Sequence, residues 1–258
     1  MTLRRLALAA TMALAIPIAA HAAEPTQAQK DQWAKEGEER LHSDWAWLGK
    51  YQAANATLPA RTKEPRVVFM GDSITQGWFD QVPEFFTVGR VGRGISGQTT
   101  PQMLLRFRQD VLDLHPSVVQ IMAGTNDIAS NTGPMTIEQT EANFRSMTEL
   151  AQAHGVRVIL ASIPPSSAFP WRPGLAVTDK IKTINAWLKS YAAETGSTYA
   201  DYWTALQDGQ GGFRADWASD GVHPNKAGYA VMIPVAQEAI REALSKPAPK
   251  PIAITAKP

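Results

Sequence analysis

The chain has 258 residues, 44% of them apolar, a formal charge of +1 and no cysteine. That length suits one medium-sized domain with a substantial core, and the apolar fraction argues against a disordered chain. A near-neutral charge leaves no electrostatic footprint for nucleic acid, and the lack of cysteine excludes disulfides, thiolate metal sites and a cysteine nucleophile.

Arg4 and Arg5 precede an apolar run from Leu6 to Ala20, and Ala20-His21-Ala22 fits a small-x-small cleavage site. Residues 1–22 therefore read as a signal peptide, with the mature chain bound for the periplasm or the extracellular medium. The run is too short to span a bilayer comfortably, and no later stretch is apolar enough, so stable membrane insertion is not expected. Loss of Arg4 and Arg5 with the signal would turn the charge from +1 to −1.

Residues 23–60 read as an N-terminal helical segment packing on the domain. From Gln27 to about Asn55 the chain is polar and helix-prone, with Trp33, Leu41, Trp45 and Leu48 at roughly helical spacing and the two Trp residues as expected core anchors. The main domain is expected over 61–245. Its strands are predicted at Arg66–Met70, Thr87–Val91, Ser117–Met122, Val156–Ile163 and Thr198–Trp203. Its helices are predicted at Thr100–Leu112, Thr136–His154, Thr178–Glu194 and Asn225–Leu244. Residues 246–258, rich in Lys, Pro and Ala and without periodicity, are expected to be disordered.

Strands alternating with helices predict βαβ units, hence an α/β fold with a five-stranded parallel sheet covered on both faces. Ligands in such sheets bind beyond the carboxyl ends of the strands. Four short segments meet that condition or lie in late loops. Gly71-Asp72-Ser73-Ile74 follows the first strand, and Gly92-Arg93-Gly94-Ile95-Ser96-Gly97 the second. Gly124-Thr125-Asn126-Asp127 follows the third, and Asp220-Gly221-Val222-His223-Pro224 precedes the last helix.

The residue types suit acyl transfer. A serine hydroxyl needs a base to take its proton, histidine is the natural base near neutral pH, and a carboxylate on the other ring nitrogen fixes the tautomer. Ser73, His223 and Asp220 are the candidates. A tetrahedral oxyanion needs fixed donors, which the N–H groups of Ser73 and Gly94 and the amide of Asn126 could supply. Asp72 and Asp127 read as loop supports. No His pair or Asp cluster has ligand spacing, so neither a metal nor another cofactor is expected.

The four segments, in this order, resemble the blocks of the SGNH/GDSL hydrolase family over about residues 66–240. The resemblance implies a three-layer α/β/α sandwich of flavodoxin-like type, no metal, and esterase or acylhydrolase activity. It implies Ser73 as nucleophile, His223 as base, Asp220 as its orienter, and Ser73, Gly94 and Asn126 as oxyanion donors. Many relatives carry Asn two positions before the block-two glycine; this chain has Gly92.

His115 is a decoy. Asp113-Leu114-His115-Pro116 mimics the late Asp-x-x-His-Pro, but it precedes a strand and should lie on the edge opposite Ser73. His154 suits a helix C-terminus. Trp78, just past Ser73, and Phe169 and Trp171 in a Pro-rich segment after the fourth strand are candidate pocket walls. Short loops and the absence of a long apolar lid favour a short acyl group on a carbohydrate or small alcohol. A lysophospholipase-type acylhydrolase, a non-catalytic carbohydrate-binding relative and an acyltransferase are the alternatives.

Overall fold

The computed structural model describes residues 26–59, 63–87 and 89–252, so the expected signal peptide lies outside the described residues. Residues up to Arg40 and residues from Leu41 onward form two separate units. The first holds most of helix α1 (Gln27–Ser43). Thr26 and Gln29 cap its start reciprocally: Gln29 N–H donates to Thr26 Oγ1 at 3.3 Å and Thr26 N–H to Gln29 Oε1 at 2.8 Å. The helix stops well short of Asn55. Asp44 takes the N–H groups of Leu48 and Gly49 on its two carboxylate oxygens, and Trp47 adopts φ 52°. A 3-10 turn (Leu48–Tyr51) and the short α2 (Gln52–Ala56) follow. Trp45 is exposed, as are Leu41 and Leu48, so the expectation that Trp45 anchors the core fails; the Trp33 side chain lies outside the described residues, and Ala46 is buried.

The sheet has five parallel strands in the order β2-β1-β3-β4-β5. They are β1 (Val67–Gly71), β2 (Arg90–Gly94), β3 (Val118–Met122), β4 (Arg157–Ala161) and β5 (Thr198–Ala200). Every residue of β1 and β3 is buried. Strand periodicity sends Val68 and Met70 into one apolar cluster and Val67 and Phe69 into the other. The first cluster collects Met103 and Phe107 of α4 (Thr100–Asp110), Phe144 of α6 (Ile137–Ala153) and Ile181 of α7 (Thr178–Glu194). The second collects Trp78 of α3 (Ser73–Gln81), Tyr202 of α8 (Tyr202–Leu206) and Tyr229 of α9 (Lys226–Ser245). Helices therefore cover both faces, giving the expected α/β/α sandwich. The short α5 (Thr125–Ile128) sits just after β3.

Two strands depart from expectation by three residues, each for a physical reason. The second strand runs three residues later than predicted, because Gly92 and Gly94 belong to it rather than to a loop. A side chain at 92 would meet the Phe79 ring at 3.2 Å, and one at 94 would lie 2.2 Å from Gln76 N. Glycine here permits close approach of α3. The fifth strand ends at Ala200, because Asp201 accepts Thr204 N–H at 2.9 Å and caps α8. Residues 246–252, expected to be disordered, are held to the domain by hydrogen bonds. Lys246 O accepts from Arg157 Nε at 2.9 Å, and Ile252 N–H donates to Ala153 O at 2.9 Å. These bonds to the segment's backbone explain why a stretch without apolar periodicity still has a place. Residues 253–258 lie outside the described residues.

The chain crosses from β2 at one edge to β3 on the far side of β1. The carboxyl ends of β1 and β3 thus flank the topological switch point, where such sheets bind ligands.

Candidate active site

The site starts with a tight exit from β1. A Cβ at Gly71 would lie 2.1 Å from Thr75 Oγ1 and 2.8 Å from Met122 O, so only glycine lets the chain turn here. Asp72 then caps α3, its Oδ1 accepting Ile74 N–H at 3.0 Å. Ser73 is the first residue of α3 and is partly open to solvent. Its N–H has no hydrogen-bond partner among the described residues.

The loop before α9 brings in the second half. Gly221 takes φ 74°, and Asp220 Oδ1 accepts the N–H groups of Val222 at 2.9 Å and His223 at 2.8 Å. This folds the loop so that Asp220 Oδ2 meets His223 Nδ1 at 2.6 Å. His223 Nε2 in turn lies 2.9 Å from Ser73 Oγ. With Nδ1–H given to the carboxylate, Nε2 is left as the acceptor for the serine hydroxyl. Burial pushes the Asp220 carboxyl upward, but hydrogen bonds from His223 and Val222 outweigh it and hold it below its ordinary value.

The third element is buried. Asn126 is 3% exposed in α5, after β3. Its Nδ2 donates to Gln98 O at 3.0 Å and lies 3.4 Å from Asp72 Oδ2, while its Oδ1 accepts from Asn131 Nδ2 at 2.8 Å. Burial pushes the Asp72 carboxyl up to about 6, against the lowering effect of Ile74 N–H. Asp127 accepts the Thr100 N–H on both oxygens at 3.1 Å and also the Thr100 hydroxyl; burial pushes its carboxyl upward too. Both aspartates sit as loop supports.

Gly94 is not where the sequence reading put it. Ile95 N–H bonds Gly71 O, so the N–H and C=O of Gly94 face away from β1. On that outer side the Tyr51 hydroxyl takes the Gly94 carbonyl. The open glycine of this segment is Gly97. It is exposed, takes φ 78°, and sits third in a turn closed by Gln98 N–H to Ile95 O at 3.3 Å. Its N–H has no partner among the described residues. The Ser96-Gly97 pair was the available signal, since Ser-Gly marks turns.

The pocket-wall candidates separate. Trp78 is wholly buried, stacked between Phe85 at 4.7 Å and Tyr229 at 5.7 Å, and cannot touch a substrate. Phe169 is buried as well, stacked under Trp171 at 5.1 Å. Trp171 alone is open, and its ring centroid lies 5.9 Å from that of His223. Arg172 Nη2 donates to Ser130 O at 3.0 Å, tying this loop to the segment after α5. His115 ends a 3-10 turn before β3, at the sheet's other edge. His154 caps α6, its Nδ1 2.8 Å from Leu150 O. Among the described residues, no group of three or more His, Asp or Glu side chains could hold a metal, and no helix is long and apolar enough to cross a membrane.

Comparison with known proteins bears on the family and the fold. Residues 69–231 match the model of the GDSL-like lipase/acylhydrolase family. A solved GDSL-like lipase of Bacteroides thetaiotaomicron is 42% identical over 78% of this chain and all of that one, with a TM-score of 0.75. A solved Bacteroides fragilis chain is 45% identical over 78% of this chain and 99% of its own length, also with a TM-score of 0.75. The human isoamyl acetate-hydrolyzing esterase 1 homolog is 27% identical over 64% of this chain and 76% of its own length.

Proposed function

The chain belongs to the GDSL-like lipase/acylhydrolase family and is a carboxylic ester hydrolase; within that class we propose that it works through an acyl-enzyme on Ser73. The observation that carries this reading is the line from Ser73 Oγ to His223 Nε2 at 2.9 Å and from His223 Nδ1 to Asp220 Oδ2 at 2.6 Å. Ser73 attacks the ester carbonyl as His223 takes its proton. Asp220 holds the ring and supports the imidazolium. The oxyanion is held by Ser73 N–H, Gly97 N–H and Asn126 Nδ2, whose second proton leaves its long contact with Asp72 Oδ2 at 3.4 Å to reach it, with Gly97 taking the part first expected of Gly94. The alcohol leaves with the proton from His223. Water, activated by the same ring, then frees the acid.

For the substrate, we favour a short acyl group on a carbohydrate or small alcohol. Support comes from the open surroundings of His223 and Trp171, and from a relative named for hydrolysing isoamyl acetate. We also read the chain as exported, on residues 1–22. Turnover of p-nitrophenyl esters of rising chain length, by wild type and Ser73→Ala, tests both parts. The expected rate peaks at short chains and vanishes in the variant. A peak at long chains would favour the lysophospholipase reading, and a rate that survives the substitution would sink the mechanism.

A further inference from the structure

Arg106 of α4 is fully buried, and no step above uses it. Its Nε donates to Gln98 Oε1 at 2.6 Å, and its Nη1 pairs with Asp110 Oδ2 at 3.1 Å. Its Nη2 donates to Gly71 O at 3.0 Å and to Arg93 O at 2.9 Å. A guanidinium taken out of water must find acceptors, and its planar fork suits several at fixed angles. Which acceptors it found is the informative point.

Gly71 ends β1, two residues before Ser73, and Arg93 lies in β2 across from Met70. Gln98 closes the turn that presents Gly97, and its carbonyl holds Asn126 Nδ2 at 3.0 Å. The Gln98 side chain is fixed from both ends, because its Nε2 donates to Ala46 O at 2.7 Å. One cation therefore braces the supports of Ser73, Gly97 and Asn126 together. We propose that Arg106 is a positioning residue that sets the three oxyanion donors relative to one another. This rests on the acyl-enzyme reading of Ser73.

Donors aimed at a developing oxyanion act in the transition state, so a small displacement should lower kcat and spare KM. Lysine keeps the charge beside Asp110 but cannot bridge four acceptors. The test measures Arg106→Lys and Gln98→Met on a short-chain ester, after confirming that wild-type turnover depends on Ser73. The folded Arg106→Lys protein should lose about 10–100-fold in kcat, with KM within about 3-fold. Gln98→Met should lose about 5–20-fold in the same pattern. The acid limb of the pH–rate profile should stay in place, because neither change touches the His223–Asp220 pair. In an Asn126→Ala background, Arg106→Lys should cost less than it does in wild type, since one of the three donors it sets is already gone.

Wild-type kcat in either folded variant would overturn the proposal. So would an effect confined to KM, a shifted acid limb, or the same loss with and without Asn126. If Arg106→Lys does not fold, Gln98→Met decides by the same criteria, since it leaves the bonds to Gly71, Arg93 and Asp110. Turnover that survives Ser73→Ala would fail at the first step, and would count against the mechanism rather than against Arg106 alone.

Discussion

The site has an open rim and a buried floor, and the two are built differently. On the rim, the His223 and Asp220 side chains are 37% and 38% exposed, beside the open Trp171. On the floor, Asp72, Gln98, Arg106 and Asn126 are no more than 3% exposed. The two aspartates nearest Ser73 show the consequence. Hydrogen bonds win at Asp220 and hold its carboxyl low, whereas desolvation wins at Asp72 and pushes its carboxyl up to about 6. The rim can exchange protons with water during turnover. The floor fixes where donors point, at some cost in buried charge.

The largest effect expected from breaking this division is on the rim. Ser73→Ala or His223→Ala should lower kcat at least ~10³-fold with the fold intact, read by ester hydrolysis beside circular dichroism. On the floor, Asn126→Ala should lower kcat by about 10²–10³-fold by loss of an oxyanion donor. A loss as large as that of Ser73→Ala would erase the distinction between the two regions.

The next prediction concerns stability and its sign. The Asp72 carboxyl is raised from 3.8 to about 6 on folding. Its protonated form therefore favours the folded state. That contribution is complete below the unfolded pKa near 3.8 and is lost as pH rises through about 6. At about 1.4 kcal/mol per pKa unit, Asp72→Asn should gain on the order of 2–3 kcal/mol relative to wild type between pH 4 and pH 7. Urea unfolding of both proteins at the two pH values measures this. Asp220 has the opposite sign: its contribution is present above the ordinary carboxylate pKa and fades as pH falls through the lowered folded value. The smallest effect belongs to His115→Ala at the far edge, where kcat/KM should stay within about 2-fold of wild type.

Much of the rim was legible in the sequence, and less of the floor. Asp220-x-x-His223 works through a three-residue turn, so its spacing alone carries the pairing. Strand direction likewise separates His223 from His115, because a parallel sheet puts its ligand edge at the strands' carboxyl ends. The floor depends on contacts between distant segments. Arg106 sits two residues from Arg108 in an amphipathic helix, where an arginine usually belongs to the solvated face. Its partners at positions 71, 93 and 98 meet it only once the sheet is built. Gly94 shows the same limit: its need for glycine comes from α3 packing on β2, which no local pattern reveals. Trp78 was misplaced because a residue five past a nucleophile can face either the cleft or the core, and here it is locked between Phe85 and Tyr229.

The central claim is that Ser73 is the nucleophile, raised to that role by His223. Covalent labelling with a fluorophosphonate, followed by mass mapping of the adduct, tests it most directly. One adduct on Ser73 is predicted in wild type, with none in folded Ser73→Ala and far slower labelling in His223→Ala. An adduct on another residue, or equal labelling of folded Ser73→Ala, would contradict the account.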